Sequence, residues 1–194
     1  MKKFELTSEF VTFLGKKLFR IKALVSFGDV KEGELGGLVE KEENLDQSGD
    51  AWVSGDARVY GDARVYGDAW VSGDAQVSGD AQVYGDAQVY GDARVYGDAQ
   101  VSGDAWVYGD AWVSGNARVQ NCRDYSATSC FGSENRTTTF FHTKDGGIGV
   151  RCGCFYGTLA EFREKVKERH GDSRTAKEYL MLADLMEFRL SKDE

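Results

Sequence analysis

The chain has 194 residues, of which 41% are hydrophobic and 12% aromatic, enough to build a folded core and inconsistent with a disordered protein. A formal net charge of −8 argues against a duplex-DNA surface, because neutralising a phosphate backbone takes a basic face. Proline is absent and glycine occurs 24 times, so turns must be built by glycine and aspartate.

The opening residues MKKFELTSEF hold no apolar run of signal-peptide length, and no window reaches the roughly 20 apolar residues of a membrane span. A cytoplasmic protein without membrane contact is expected. Residues 9–13 and 18–23 read as the strands of a β-hairpin turned at Gly15, Lys16 and Lys17. The run GDVKEGELGG, residues 28–37, reads as a loop. Residues 1–36 are therefore expected to cap the segment that follows, whose open end would otherwise expose strand edges and apolar core.

Residues 49–120 repeat one unit, Gly-Asp-Ala-x-Val-Ser/Tyr, twelve times without insertion; only the last drifts, with Asn116 for aspartate and Gln120 at its final place. A period of six is not that of an amphipathic helix. Alanine and valine stand two apart, so on an extended segment they share one side, which must be the core. The x and Ser/Tyr positions then point outward, and Gly-Asp makes a corner. Register extends backwards, since Val39 and Leu45 fall on the position that Ala51 occupies, so a solenoid over residues 37–120 with degenerate first coils is expected. One such strand buries almost nothing alone, and the units must stack on copies of themselves.

After the repeats, residues 121–136 are polar and read as irregular. TTTFFHTKDGGIGVRC supplies a second hairpin, residues 137–142 and 148–152, turned by Asp145, Gly146 and Gly147. Thr158 and Glu161 form a capping box opening a helix in which Leu159, Phe162 and Val166 share a face and which Gly171 ends. A second helix spans about residues 173–188, with Ala176, Tyr179, Leu180, Ala183 and Met186 at helical spacing. Residues 121–194 thus read as a small α+β unit.

Valine followed four places later by alanine, from Val53 and Ala57 to Val113 and Ala117, resembles the motif of the hexapeptide-repeat family. That resemblance implies a left-handed parallel β-helix with three hexapeptides per coil, and homotrimers are common in the family. Four coils of 18 residues would rise about 19 Å at a strand separation of about 4.8 Å. One face then carries Trp52, Trp70, Gln88 and Trp106 beside Ser54, Ser72, Tyr90 and Tyr108. The second carries Arg58, Gln76, Arg94 and Trp112, and the third Arg64, Gln82, Gln100 and Arg118. The aromatic face, with Trp52, Trp70, Tyr90, Trp106 and Tyr108, is too apolar to stay wet. It calls for a terminal segment, a neighbouring subunit or a planar ligand. Eleven aspartates stack along the corners, where carboxylates about 4.8 Å apart repel by about 0.9 kcal/mol per pair in water. Backbone N–H groups at each corner are expected to offset this.

Acyltransferases of the hexapeptide family use a solenoid histidine as general base and a loop thrust from a coil; here His142 and His170 lie outside the repeats and no repeat is interrupted. No catalytic residues are assigned, and acyl transfer is the weaker alternative. Cys122, Cys130, Cys152 and Cys154 fit no common zinc spacing and read as reduced thiols, so neither metal nor cofactor is expected. The basic stretch over residues 135–156 holds Arg136, Lys144 and Arg151 among Thr137, Thr138, Thr139, His142 and Tyr156. These are the groups that a pocket for a nucleotide or other phosphate-bearing ligand needs.

The layout of a hairpin with FGDVKEGELGGLVEKEENL, then GDAxV repeats, then TTFF, KDGGI, CGCF and two helices resembles hexapeptide-repeat proteins carried by phages and prophages. It implies either a counter-defence protein that sequesters a small anionic nucleotide signal in the host cytoplasm, or a structural or assembly part of the particle.

Overall fold

The computed structural model describes residues 2–191. Each repeat contributes a two-residue strand at x-Val and a corner at the following Gly-Asp, and every alanine and valine from Ala51 to Val119 is fully buried. Equivalent strands stack in parallel eighteen residues apart: Trp52 lies against Trp70, Arg58 against Gln76 and Arg64 against Gln82. Main-chain bonds tie each coil to the next, as from Arg58 N to Ala75 O at 2.9 Å and from Tyr60 N to Val77 O at 3.0 Å. The result is a three-sided parallel β-helix with five parallel strands on one face and four on each of the others. The faces sort their outward residues as three hexapeptides per coil, the expectation from the resemblance, requires.

The corner glycines from Gly49 to Gly115 all have φ between +61 and +72, where glycine is favoured. Gly79 has φ +70, and a Cβ there would stand 2.9 Å from the amide nitrogen of Gly97 one coil on, so backbone strain and a backbone clash both exclude a side chain. The corner aspartates do not work as expected. All eleven are exposed, and among the described residues only three of their carboxylates are hydrogen-bonded: Asp68 accepts from the amide of Asp50, and Asp56 and Asp62 meet Arg20 and Lys41. The corners are closed instead by main-chain bonds such as Asp56 N to Gly73 O at 3.0 Å, while the carboxylates stand in water, where screening weakens their repulsion.

The N-terminal hairpin differs in detail from its expected form. Strands β1 (Phe4–Phe13) and β2 (Lys16–Ala23) are joined by Leu14 and Gly15, both at positive φ, so the turn is tighter and β1 longer. Residues 35–37, expected as the end of a loop, open strand β3 (Leu35–Val39), antiparallel to β2 and parallel to the strand at Arg58 and Val59. The hairpin thereby continues one solenoid face beyond the first coil. Gly36 misleads because its role is close packing: a Cβ there would meet Ile21, Trp52 and the Val53 carbonyl at 2.6 Å. Val39 and Leu45 belong to the solenoid but on the valine position, pairing with Val59 and Val65. Two additional residues before Trp52 shift the register, and Gln47 in that segment holds the amides of Lys3 and Phe4 at 2.8 and 3.3 Å.

Lys3 closes this end. Its ammonium donates to the carbonyls of Ser48, Gly49 and Ala51 at 3.4, 3.2 and 2.9 Å, and burial pulls its pKa below the ordinary lysine range while Asp46, Asp50 and Asp68 oppose that shift. Lys3→Met keeps the aliphatic stem but leaves those carbonyls unpaired. It is expected to lower stability by about 2 kcal/mol in a thermal melt, and an unchanged midpoint would mean that water replaces the ammonium without loss.

The far end is closed by a four-stranded antiparallel sheet, β4 (Tyr125–Phe131), β5 (Arg136–His142), β6 (Ile148–Cys152) and β7 (Phe155–Thr158). β4 lies in the segment expected to be irregular. It is an edge strand, largely open to solvent, so it carries no hydrophobic alternation, and its register comes from β5 through pairs such as Tyr125 with Phe141. Alternation along β5 sends Phe141 into the solenoid core and Phe140 into a second core beneath α1 (Leu159–His170) and α2 (Arg174–Leu190). Thr158 caps α1 through the expected box, Ser173 caps α2, and Leu182 and Leu190 join the predicted apolar positions of α2 in the core. Among the described residues no helix is long and apolar enough to cross a membrane.

Candidate functional site

The β5 and β6 residues expected to form one phosphate pocket are divided by the sheet itself. On the solenoid side, Thr139 Oγ1 accepts the main-chain N–H of Trp112 at 3.0 Å, and the Arg151 guanidinium stands over the rings of Trp112 and Tyr96 at 5.3 and 5.7 Å. Both dock the C-terminal unit onto the helix. Thr138 is fully buried, its hydroxyl 3.2 Å from Cys152 Sγ, and Thr137 pairs with Ser129 at 2.9 Å. Lys144 donates to the Asp98 carbonyl at 2.7 Å. His142 is a clasp: Nδ1 lies 3.3 Å from Asp124 Oδ1 and Nε2 lies 2.7 Å from the Leu190 carbonyl at the end of α2. With both ring nitrogens engaged, it has none free for a substrate. The expected single pocket is therefore corrected: side chains on successive residues of a strand face opposite ways. Arg136 remains available, exposed with its guanidinium 3.8 Å from Glu134, whereas Tyr156, though exposed, donates its hydroxyl to Asn116 Oδ1 at 3.2 Å.

The aromatic face is likewise divided. Trp52 is fully buried beneath the chain's own Phe4 and Phe27, whose rings meet it edge-on at 6.5 and 5.4 Å, so it cannot serve as an intermolecular contact. Trp70 is half-buried, with Nε1 donating to Ser54 at 3.2 Å. Tyr90 stacks on Tyr108 at 5.5 Å, and the open part of the face is Trp106 and Tyr108, 47% and 52% exposed.

Two cavities flank the C-terminal sheet. One of about 1070 Å³ lies between the solenoid top, the residue 143–147 turn and the helices, and mixes Arg118, Lys144 and His142 with Asp124, Asp145, Glu161 and Glu187. Its lysine and histidine are already engaged, and four carboxylates against Arg118 and Lys144 leave it net negative, unsuited to an anionic ligand. The other, about 570 Å³, is bounded by the β4–β5 turn, the Cys152-Gly153-Cys154 turn and α1, within the usual size of a small-molecule site. Its walls hold Arg136, Lys165, Arg169 and His170 with the single carboxylate of Glu134, and Lys165 is ion-paired with Glu168 at 2.8 Å.

The floor of this cavity is aromatic: Phe155 and Tyr179 both pack on Phe162, at 5.6 and 5.7 Å, and His170 lies over Tyr179 at 5.8 Å. Burial pushes the Tyr179 hydroxyl up to about 12, and neighbouring Cys152 adds to the shift, so the phenol is neutral and hydrogen-bonding. Of the predicted residues, only Arg136 and Tyr156 line this cavity. Lys165, Arg169 and His170 had a signal in the sequence, cations at helical spacing near the end of α1, which reads equally well as favourable charge at a helix C-terminus. The four cysteines are unpaired, and among the described residues no three metal-ligating side chains converge.

Residues 57–73, 87–103 and 99–115 match the family model described as YdcK beta solenoid repeat, each stretch close to one coil, and the chain is similar to that repeat there. A comparison with curated proteins found no match.

Proposed function

We propose that this protein is a non-catalytic binding protein that holds a small anionic nucleotide in the cavity between β5–β7 and α1. One observation carries the reading: in a chain of net charge −8, Arg136, Arg169 and His170 line one aromatic-floored cavity with Lys165, which is ion-paired with Glu168 at 2.8 Å, and Glu134 is the one carboxylate among its lining residues. Guanidinium and ammonium groups suit a phosphate, and ring faces suit a base. The likeness in layout to phage-borne repeat proteins supplies the biological form, sequestration of a host nucleotide signal in the cytoplasm by a homo-oligomer, with a trimer as the proposed state.

The test is calorimetry and native mass spectrometry with cyclic mono- and dinucleotides and ADP-ribose. At least one is expected to bind and be recovered with unchanged mass. Replacing Arg136 and Arg169 together by alanine should weaken binding by about 100-fold or more, since each charged hydrogen bond contributes about 1.5–3 kcal/mol. Arg151→Ala should leave affinity unchanged, because that side chain is occupied on Trp112 and Tyr96. A product of altered mass would indicate an enzyme. No bound nucleotide, with growth into larger assemblies, would favour a scaffold, the reading supported by the open rings of Trp106 and Tyr108.

A further inference from the structure

We infer that Cys154 is a modification site selective for anionic small-molecule disulfides, and that its adduct closes the basic cavity. The cavity wall includes two thiols, Cys152 and Cys154, on either side of Gly153. Cys152 is half-buried and held between the Thr138 hydroxyl at 3.2 Å and the Tyr179 hydroxyl at 3.9 Å. Cys154 is exposed. The turn that carries it lies against a cation: a Cβ added at Gly153 would stand 3.0 Å from Arg136 Nη1. Lys165, Arg169 and His170 line the same space.

Cys122 and Cys130 are exposed as well, so exposure alone does not separate the thiols. Their settings do. Cys122 lies at the solenoid end, its sulfur 4.0 Å from the carbonyl of Asp104 at an acidic corner, and Cys130 is on the edge strand β4. Neither lines the basic cavity.

In the exchange, the Cys154 thiolate, its proton released to solvent, attacks one sulfur of the disulfide. That S–S bond breaks, a new one forms to Cys154, and the other half leaves as a thiolate, so no further oxidant is needed. Oxidised glutathione is such a reagent, anionic at neutral pH, and its bound half would place carboxylates among the cations. A cleft of one charge sign raises the encounter rate of oppositely charged reagents by tenfold or more. That the adduct excludes a nucleotide rests on the reading proposed above; the selectivity of Cys154 does not.

The experiment treats the full chain with oxidised glutathione, and separately with the dicationic disulfide cystamine, and maps adducts against time by peptide mass. With oxidised glutathione, Cys154 is expected to react at least about tenfold faster than Cys122 or Cys130. That preference should vanish with cystamine, in about 1 M salt, and when Arg136 and Arg169 are both alanine. Cys122 or Cys130 reacting first with both reagents, or a preference untouched by removing the two arginines, overturns the proposal. A chain that shows the selectivity but binds no nucleotide before modification would sink the nucleotide reading and leave the modification site standing. A chain that binds nucleotide equally well before and after modification would overturn the closure.

Discussion

Val89→Asp is expected to abolish the cooperative folding of the solenoid. Val89 is fully buried and sits between Val71 and Val107 in the coils on either side, so the carboxylate would enter a stack whose every neighbour is apolar. Burying an isolated carboxylate costs several kcal/mol even when the group takes up a proton. A domain is stable by only about 5–15 kcal/mol in all. The adjacent Gln88 is the control, because it is exposed on the same strand and points the other way. Gln88→Asp should move stability by no more than about 0.5 kcal/mol. Far-ultraviolet circular dichroism during thermal melting checks both, and a Val89→Asp protein melting like its parent would refute the inward assignment of valine.

Trp52→Ala should destabilise the protein by about 4 kcal/mol, the usual range for emptying a buried tryptophan site. Its ring is enclosed by Phe4 and Phe27 and by the close approach of Gly36, so the space cannot collapse without moving the hairpin off the first coil. Trp106→Ala, on the same face but half-exposed, should cost no more than about 1 kcal/mol in the isolated chain. Urea midpoints compare the two, and equal losses would contradict the distinction between a tryptophan consumed by the fold and one left open. Trp52→Phe should cost less than alanine, since the buried Trp52 indole N–H has no hydrogen-bond partner among the described residues to lose.

The contrast between these tryptophans shows how far the repeat could be read. Trp52 and Trp106 occupy the same place in units alike at their first five positions, Gly-Asp-Ala-Trp-Val, and the one difference, Ser54 against Tyr108, does not tell a buried tryptophan from an open one. Only the arrival of Phe4 and Phe27 from the N-terminal segment does. Arg136 and Arg151 stand in the same relation: both are arginines in the basic stretch, yet they lie on opposite sides of one sheet. The cavity that Arg136 lines owes its other cations to α1, which reaches it by folding back over β5–β7.

What the amino-acid order alone determined is the stacked coil: a unit of six, written twelve times, puts valine and alanine inward in every copy, and stacking is the only way to bury them, while three units to a coil is what the resemblance to hexapeptide-repeat proteins implied. The apolar faces and caps of the two helices were determined in the same way, by spacing within a single turn or two. Tertiary structure decided the rest. The polar edge strand β4 takes its register from β5, β3 sets Gly36 against Ile21 and Trp52, and the basic cavity joins segments remote in sequence. Each of these occurs once and depends on chain meeting chain at a distance, so no periodicity announces it, whereas a repeated local pattern states its own geometry.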